Sequence, residues 1–312
     1  MCDDFSDSIL NISPRLRESL SHISESVKKR VQEICIKINK SITIFTPEES
    51  FFLGNNGMLS SEDLKHIIVS QNDIFETMKI LCNFSIYSFQ NQIKNGFITL
   101  KGGHRAGLCG TAVINNNEVI NVSDISSINL RVSREINGCS DEIFKKFGTD
   151  LGGTLIAGPP SSGKTTILRD ISKKISTTIK NRRLIKTTII DERNEISATY
   201  NGIPQRDIGL SDVLNGFSKS DGIIRAIRTM SPEIIICDEI GNNDDVESIK
   251  KSLNCGVEII ASIHAKTVDE FSKSKRIRNI LNSGAIKHVI LLNDCTKPGS
   301  IKNIFEVEGN FI

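Results

Sequence analysis

The sequence predicts an α/β fold, in which a domain with a mostly parallel sheet and helices on both faces follows a smaller α+β domain. Residues 158–165 form a glycine-rich loop between an apolar strand and a helix. From residue 138 onward, apolar strands alternate with helical segments, which is typical of a parallel sheet. Upstream, residues 96–132 follow a period of two, which indicates antiparallel strands. We therefore expect domains at residues 1–137 and 138–312.

Length, charge and cysteine usage exclude several classes of protein. The 312 residues are enough for two hydrophobic cores. With 39 basic and 37 acidic residues, the formal charge of +2 gives no overall attraction to nucleic acid or anionic membranes. Eight cysteines are scattered without a C-x-x-C motif, which disfavours a zinc site or a disulfide framework and predicts a reducing compartment. Residues 1–10 are acidic and lack the apolar region of a signal peptide, and no run reaches about 18 apolar residues, so we expect a cytosolic chain.

The elements of the N-terminal domain follow from hydrophobic periodicity. Apolar residues spaced three and four apart between Leu16 and Val31 predict an amphipathic helix after Pro14. N-cap chemistry at Ser61 opens a region with two helical patterns that separate near Asp73. Strands are predicted at 34–38, 42–45, 51–53, 97–100, 110–114, 119–122 and 128–132, with a hairpin turn at 115–117.

In the C-terminal domain, apolar runs predict the strands of the parallel sheet at 154–158, 186–191, 233–239, 257–264, 288–292 and 303–307. The segment 173–186 is unusual because it carries six cations and no acid. We interpret it as a solvated helix end and loop, with contact to an acidic protein or a polyphosphate as the alternative.

The glycine-rich loop predicts a nucleotide site, because it fits the pattern G-x-x-x-x-G-K-[ST]. Backbone N–H groups of the loop and the helix N-terminus converge on the β-phosphate. Lys164, expected to be solvated until phosphate arrives, supplies a positive charge, and the Thr165 hydroxyl completes the shell of Mg²⁺. The predicted cofactors are therefore ATP and Mg²⁺, and the predicted binding residues are Gly158, Pro159, Pro160, Ser161, Ser162, Gly163, Lys164, Thr165 and Thr166.

Acidic residues at the ends of two other strands supply candidates for metal binding and catalysis. Asp238 is placed to hold hydrated Mg²⁺ and Glu239 to polarise the attacking water, because strand ends surround the ligand crevice in such sheets. Asp191, Glu192 and Glu195 form a second acidic cluster, of which one or two members are expected to face the metal ion or the water, with solvated charge as the alternative.

One histidine and several arginines complete the set of candidates. His264 ends a strand and is placed either to sense the γ-phosphate or to serve a structural role. An arginine donated by a neighbouring subunit or by the other domain neutralises charge in the transition state of many phosphoryl transfers, with a plain surface position as the alternative for each arginine. Arg228 and Arg131 rank first for this role because they flank apolar segments; Arg225 and Arg134 follow.

These motifs resemble the stage III sporulation protein AA ATPases of endospore-forming bacteria, relatives of the hexameric type II and type IV secretion ATPases. The resemblance is carried by RAGLCGTAV at 105–113, SSINLR at 126–131, the loop through LRD at 168–170, DERNEI at 191–196, RTMSPE at 228–233 and CDEIG at 237–241. It implies a RecA-like ATPase domain, with Asp191, Glu192 and Glu195 as an acidic box and His264 as a histidine box. The sequence departs from the family pattern at Ser161, where a glycine is expected, and at Arg225, where an apolar residue is expected.

The resemblance implies a motor that hydrolyses ATP within a homo-oligomeric ring, expected to be a hexamer. Its partners would be membrane channel proteins between the mother cell and the forespore, placing the chain in the mother-cell cytoplasm at that channel. Two alternatives remain open: a low-turnover platform for assembling channel subunits, and a RecA-like nucleic-acid translocase. The translocase is disfavoured, and no nucleic acid is expected as a partner, because the chain has two Tyr, no Trp and no concentrated basic stripe.

Overall fold

The computed structural model describes residues 4–265, 267, 270, 274–294 and 297–307. The chain divides into an N-terminal unit, Met1–Arg134 with Tyr200–Gln205, and a C-terminal unit, Glu135–Thr199 with Arg206–Ile312. The sequence pattern does not predict that residues 200–205 belong to the first unit. The domain bounds 1–137 and 138–312 stay a prediction.

The N-terminal unit is built on a seven-stranded antiparallel sheet. Its strands are β1 (Glu33–Lys37), β2 (Thr43–Phe45), β3 (Ser50–Leu53), β4 (Leu59–Ser60), β5 (Phe97–Thr99), β6 (Arg105–Asn115) and β7 (Glu118–Arg131). Their order across the sheet is β4-β3-β2-β1-β7-β6-β5. The turn of the β6–β7 hairpin lies at Asn116 and Asn117, whose φ angles of 48° and 62° suit asparagine.

Five helices pack with this sheet: α1 (Asp4–Ile9), α2 (Pro14–Ser21), α3 (Glu25–Lys28), α4 (Gln71–Leu81) and α5 (Gln90–Lys94). The single helix predicted after Pro14 is broken between α2 and α3. The helix predicted from Ser61 is wrong, because the capping box forms at Ser70 instead, where Ser70 Oγ accepts from the Asp73 N–H at 3.2 Å. Asp73 therefore lies in the first turn of α4 and does not separate two helices.

The C-terminal unit contains the mostly parallel sheet that the sequence predicts. Its strands are β8 (Thr154–Gly158), β11 (Thr187–Asp191), β12 (Asp212–Asn215), β13 (Ile234–Cys237), β14 (Glu258–His264), β15 (His288–Leu292) and β16 (Ile301–Glu306), with β9 (Ile179–Lys180) and β10 (Arg183–Leu184) forming a separate hairpin. The order is β12-β11-β13-β14-β8-β15-β16, and only the β15–β16 pair among these is antiparallel. The prediction missed β12, a short edge strand with polar ends.

Helices cover both faces of this sheet: α6 (Asp141–Phe147), α7 (Lys164–Thr177), α8 (Lys219–Thr229), α9 (Asn243–Asn254) and α10 (Lys275–Leu281). Successive residues of β8 point to opposite faces, so Leu155 joins a core with α8, α9 and α10, while Ile156 joins a core with α6 and α7. The central strands β13, β14 and β8 end at one edge of the sheet. This edge carries the candidate site.

Candidate nucleotide-binding site

The phosphate loop connects β8 to α7 and leaves little room for side chains. A Cβ atom at Gly158 would lie 2.4 Å from Ser162 Oγ, and one at Gly163 would lie 2.6 Å from the Gly299 nitrogen. Gly163 also has a φ of 93°, which favours glycine. Ser161 has a φ of 61°, so the residue that departs from the family pattern occupies a backbone conformation in which a glycine is less strained.

Lys164 is buried, contrary to the expectation of a solvated side chain. Its Nζ donates to the carbonyl oxygens of Gly158 at 3.0 Å and Pro159 at 2.8 Å. Burial lowers the pKa of Lys164, while the nearby carboxylates of Asp238 and Glu239 act in the opposite direction. The loop main chain thus occupies the donors of this lysine.

Thr165 and Asp238 lie together across the sheet edge. Thr165 Oγ1 donates to Asp238 Oδ2 at 2.9 Å. The other oxygen, Oδ1, accepts from Ser262 Oγ at 2.6 Å and from the Glu239 N–H at 2.9 Å. Asp238 is therefore held in one orientation by groups from three segments. A hydroxyl and a carboxylate side by side are typical ligands of Mg²⁺ in phosphate-loop sites.

His264 connects the lysine of the loop to Glu239. Its Nδ1 lies 3.1 Å from Lys164 Nζ, and its Nε2 lies 3.2 Å from Glu239 Oε2. Since the lysine is a donor only, Nδ1 accepts and Nε2 carries the proton that is donated to Glu239. Arg193 Nη1 approaches the same carboxylate at 3.7 Å. His264 stands directly beside Gly158 in the strand register, which explains why it reaches the loop.

The Asp191 side chain binds the main chain of the turn that follows it. Its side chain is fully buried and accepts from the N–H groups of Glu195 at 2.8 Å, Ile196 at 3.3 Å and Ser197 at 2.8 Å, and from Ser197 Oγ at 2.6 Å. A carboxylate with four internal donors holds the turn after β11 closed. That Asp191 binds the metal ion stays a prediction, and these contacts disfavour it because they already use both carboxylate oxygens.

The other two acids of this cluster lie at the edge of the same site. Glu192 forms an ion pair with Lys219 at the start of α8. Glu195 is half-buried, and its carbonyl oxygen accepts from Arg169 at 2.8 Å. A small cavity of about 20 Å³ is lined by Ile190, Glu192, Arg193, Glu195, Lys219, Asp238 and Glu239. Glu192 and Glu195 therefore share one cavity with the Asp238–Glu239 pair, and the individual roles of these acids stay predictions.

Neither candidate trans arginine has a described contact with the phosphate loop. Arg228 is exposed on α8 and lines a surface cavity of about 430 Å³ with Ile224 and Ile227. Arg131 is exposed in the N-terminal unit, where its Nε lies 3.5 Å from Glu33 Oε2. Both positions are open to a second chain, and their catalytic role stays a prediction.

The sequence reasoning missed Ser262, Lys219, Arg193 and Arg169. Ser262 lies two positions before His264 in β14, and residues two apart share a face of a strand. A serine within an apolar strand is the signal that could have identified it. Arg169 is buried and donates to the carbonyl oxygen of Ile196 at 2.7 Å, so it supports the Asp191 turn from α7.

Comparison with known proteins agrees with this geometry. The family described as "Sporulation stage III, protein AA" matches residues 5–312. Stage III sporulation protein AA of Bacillus subtilis (strain 168) is 33% identical over 299 residues, which cover 95% of this chain and 94% of that protein. The chain belongs to the stage III sporulation protein AA family. The resemblance seen in the motifs is thereby confirmed.

Solved structures similar to this family member confirm the predicted fold class. The Legionella pneumophila ATPase DotB superposes with a TM-score of 0.53 at 16% identity, covering 84% of this chain and 72% of that chain. The pilus retraction motor PilT with bound ADP superposes with a TM-score of 0.54 at 15% identity, covering 86% of this chain and 75% of that chain. The fold is a RecA-like phosphate-loop domain preceded by an N-terminal domain. Among the helices of the described residues, none is long and apolar enough to cross a membrane.

Proposed function

We propose that this chain binds and hydrolyses ATP with Mg²⁺, as the motor of a secretion-like channel used during sporulation. The observation that carries the proposal is the continuous network from Lys164 through His264 to Glu239, beside the Thr165–Asp238 pair. All of these residues lie at the carboxyl ends of the two adjacent strands β13 and β14 or at the start of α7. Ligands bind at this edge in open α/β sheets.

The residues present fit both ATP and Mg²⁺. Glycines at 158 and 163 allow the loop to pack tightly against its own chain, since a Cβ atom at either position would collide with Ser162 or Gly299. Thr165 Oγ1 and Asp238 Oδ2 form a hard oxygen donor set, which suits Mg²⁺. When bound, Mg²⁺ neutralises charge on the phosphates.

Nucleotide binding requires Lys164 to change partners. In the structure its donors are directed to Gly158 O, Pro159 O and His264 Nδ1. Phosphate oxygens are stronger acceptors than neutral carbonyls, because hydrogen bonds between charged groups are about twice as strong. We infer that ATP binding moves the lysine away from these carbonyls and from His264. Because His264 also contacts Glu239, the loss of its contact with the lysine is transmitted to Glu239.

Glu239 is the proposed general base for the attacking water. His264 and Arg193 both lie beside its carboxylate, so they orient it. Ser262 positions Asp238 and, through the Glu239 N–H at 3.1 Å, the backbone of the base itself. Glu192 and Glu195 line the same cavity and are the alternatives for this role.

We further propose that the chain works as a ring in the mother-cell cytoplasm, at a membrane channel to the forespore. Family membership supports the link to sporulation. The structural neighbours DotB and PilT are described as an ATPase and a motor, which supports a mechanochemical role. Arg228 and Arg131 are the proposed trans arginines, because both are exposed to a neighbouring subunit.

The test is the substitution Glu239→Gln, with ATP binding and phosphate release measured on the same sample. The amide keeps the shape of the side chain but removes the base, so ATP should bind with unchanged affinity while turnover falls at least about 100-fold. Glu247→Gln, on the exposed surface of α9, is the matched control and should leave both quantities unchanged. Full turnover in Glu239→Gln would transfer the role to Glu195 or Glu192.

The same measurement separates the motor from a low-turnover assembly platform. A platform binds ATP and assembles, but its phosphate release stays near zero in the unmodified protein. In that case Glu239→Gln has no turnover left to remove.

A further inference from the structure

The β9–β10 hairpin is a separate two-stranded element of the C-terminal unit. Lys180 pairs with Arg183, and Ile179 pairs with Leu184. Because paired residues share a face and neighbours alternate, Lys180 and Arg183 lie on one face while Ile179 and Leu184 lie on the other. All four are exposed, with 70% of Ile179 and 46% of Leu184 accessible. The hairpin is therefore amphipathic.

The turn of the hairpin adds a third cation at its tip. Asn181 and Arg182 have φ angles of 52° and 64°, the left-handed pair of a type I′ turn. Asparagine is common in this conformation, but arginine is not. The structure keeps a long cation at the tip where a glycine is favoured.

The cations of segment 173–186 divide into two groups. Lys173 lies 2.7 Å from Asp207, and Lys174 lies 2.6 Å from Asp141 and 2.8 Å from Asp170. By contrast, no carboxylate among the described residues forms an ion pair with the remaining cations, which are Lys180, Arg182, Arg183 and Lys186. Like charges directly opposite each other destabilise a strand pair, as Lys180 and Arg183 do here. The unneutralised charge is concentrated on the hairpin.

The base of the hairpin is anchored in the C-terminal unit. Ile175 and Ile185 are buried in the core beneath α7, and Thr178 Oγ1 donates to the Lys174 carbonyl at 2.7 Å. A hairpin with an anchored base and an exposed tip presents its side chains to a partner with little loss of entropy on binding.

We propose that the β9–β10 hairpin binds the surface of an anionic lipid bilayer. An element with aliphatic residues on one face and lysine or arginine on the other has the composition of segments that lie in the membrane interface. Ile179 and Leu184 would enter the boundary between headgroups and acyl chains. The long stems of Lys180, Arg182 and Arg183 would extend to the lipid phosphates. This inference is independent of ATP hydrolysis.

Two other classes of partner fit the hairpin less well. Nucleic acid is disfavoured because no Phe, Tyr or Trp occurs between residues 148 and 199, so the hairpin offers no ring for base stacking. A folded acidic protein is disfavoured because stable interfaces bury about 800 Å² on each partner, and a protruding hairpin with strands of two residues offers much less. A bilayer needs no complementary pocket.

The test is flotation of the purified full-length chain, without nucleotide, with vesicles at low salt. The protein should bind vesicles of equal parts phosphatidylglycerol and phosphatidylcholine, and should not bind pure phosphatidylcholine. Each cation near an anionic surface contributes about fivefold to affinity, so Lys180→Ser with Arg182→Ser and Arg183→Ser should weaken binding about 100-fold. Ile179→Ser with Leu184→Ser, which keeps every charge, should weaken it about tenfold.

The matched control removes the same charge elsewhere. Lys29→Ser, Lys37→Ser and Lys40→Ser change three exposed cations of the N-terminal unit and should leave vesicle binding unchanged. All variants should keep the thermal midpoint and the ATP affinity of the parent chain. The proposal is overturned if the control variant loses as much vesicle binding as the hairpin variant. It is also overturned if the parent chain binds neutral vesicles or binds no vesicles at all. If the chain binds polyglutamate or duplex DNA through the hairpin cations but does not bind vesicles, the hairpin has another partner and the proposal is wrong.

Discussion

At the level of single residues, Lys164 holds the loop together and is also the proposed partner of the phosphates. In the structure its ammonium group satisfies two loop carbonyls and contacts His264. In the proposed function, the same donors bind the phosphates of ATP. Because these donors are already in use, binding of a phosphate must break their hydrogen bonds to the loop carbonyls, which reduces the net gain in free energy.

Lys164→Ala should abolish ATP binding while leaving the chain folded. The substitution removes the charge that meets the phosphates and leaves two loop carbonyls without this donor, so we expect the free energy of unfolding to fall by only about 1–2 kcal/mol. Calorimetric titration with ATP and a thermal melt measure the two effects separately. An unchanged ATP affinity would show that the loop does not bind phosphate.

Ser262→Ala should impair the use of Mg²⁺. Ser262 donates to Asp238 at 2.6 Å, and removing a group that orients a metal ligand costs about 10–100-fold in metal affinity or activity. The Mg²⁺ concentration for half-maximal hydrolysis should therefore rise, while ATP affinity in the absence of Mg²⁺ stays the same. Ser262→Thr keeps the hydroxyl and should lose less. A Mg²⁺ titration identical to that of the parent chain would contradict the positioning role.

At the level of elements, one carboxylate fixes α7 to the segment that precedes β8. Asp170 Oδ2 accepts from the Ser140 N–H at 2.8 Å, from Ser140 Oγ at 2.6 Å and from Lys174 at 2.8 Å, while Oδ1 accepts from the Gly138 N–H at 3.1 Å. Burial alone would raise the pKa of Asp170, but these hydrogen bonds outweigh it and lower the pKa to about 2. The middle of the helix that begins at the phosphate loop is thereby held against residues 138–140.

Acid should release this contact. The folded pKa of Asp170 lies below its ordinary value of 3.8, so its contribution to stability is complete above about pH 4 and is lost as the pH falls through about 2. The difference in unfolding free energy between the parent chain and Asp170→Asn should shrink by about 2 kcal/mol across this range. Urea unfolding at several pH values measures it. Ser140→Ala, which keeps the carboxylate, should show a smaller change, and a pH-independent difference would contradict the assignment.

At the level of the whole molecule, the proposed ring requires that neighbouring chains complete each site. An isolated chain lacks the arginine that a neighbour supplies, so hydrolysis should rise faster than linearly with protein concentration. Arg228→Ala or Arg131→Ala should bind ATP normally yet remain slow at every concentration. Sedimentation on the same samples separates lost catalysis from lost assembly. Full specific activity in a dilute, monomeric sample would rule out the ring mechanism.

A mixing experiment tests the trans arginine directly. Lys164→Ala chains carry an intact arginine, and Arg228→Ala chains carry an intact loop, so hybrid interfaces combine the two. Mixing the inactive samples should restore partial activity if Arg228 acts across the interface. The control is a mixture of Lys164→Ala with Glu239→Gln chains. Each of these substitutions damages the part of the site that its own chain supplies, so no interface in the mixture combines intact parts. The same test is made with Arg131→Ala in place of Arg228→Ala. Absence of recovery in both arginine mixtures would contradict catalysis in trans.

The sequence alone determined the features that depend on neighbouring residues. The phosphate loop was predictable because strand, glycines, lysine and helix start are contiguous at residues 154–166, and the parallel sheet was predictable from repeated apolar runs. Local rules failed where long-range contacts competed. The helix start moved from Ser61 to Ser70 because Asp73 completes a capping box there and also binds Arg15.

Only the tertiary structure decided which side chains meet. Asp191 and Asp238 both end apolar strands, yet one faces its own turn and the other faces Thr165, because packing sets side-chain direction. The lysines of α7 and the cations of the hairpin look alike in sequence, but distant aspartates neutralise only the former. His264 reaches the loop because β14 pairs with β8 in a register that places it beside Gly158. Such pairings depend on contacts between residues far apart in the chain, which no local pattern of residues encodes.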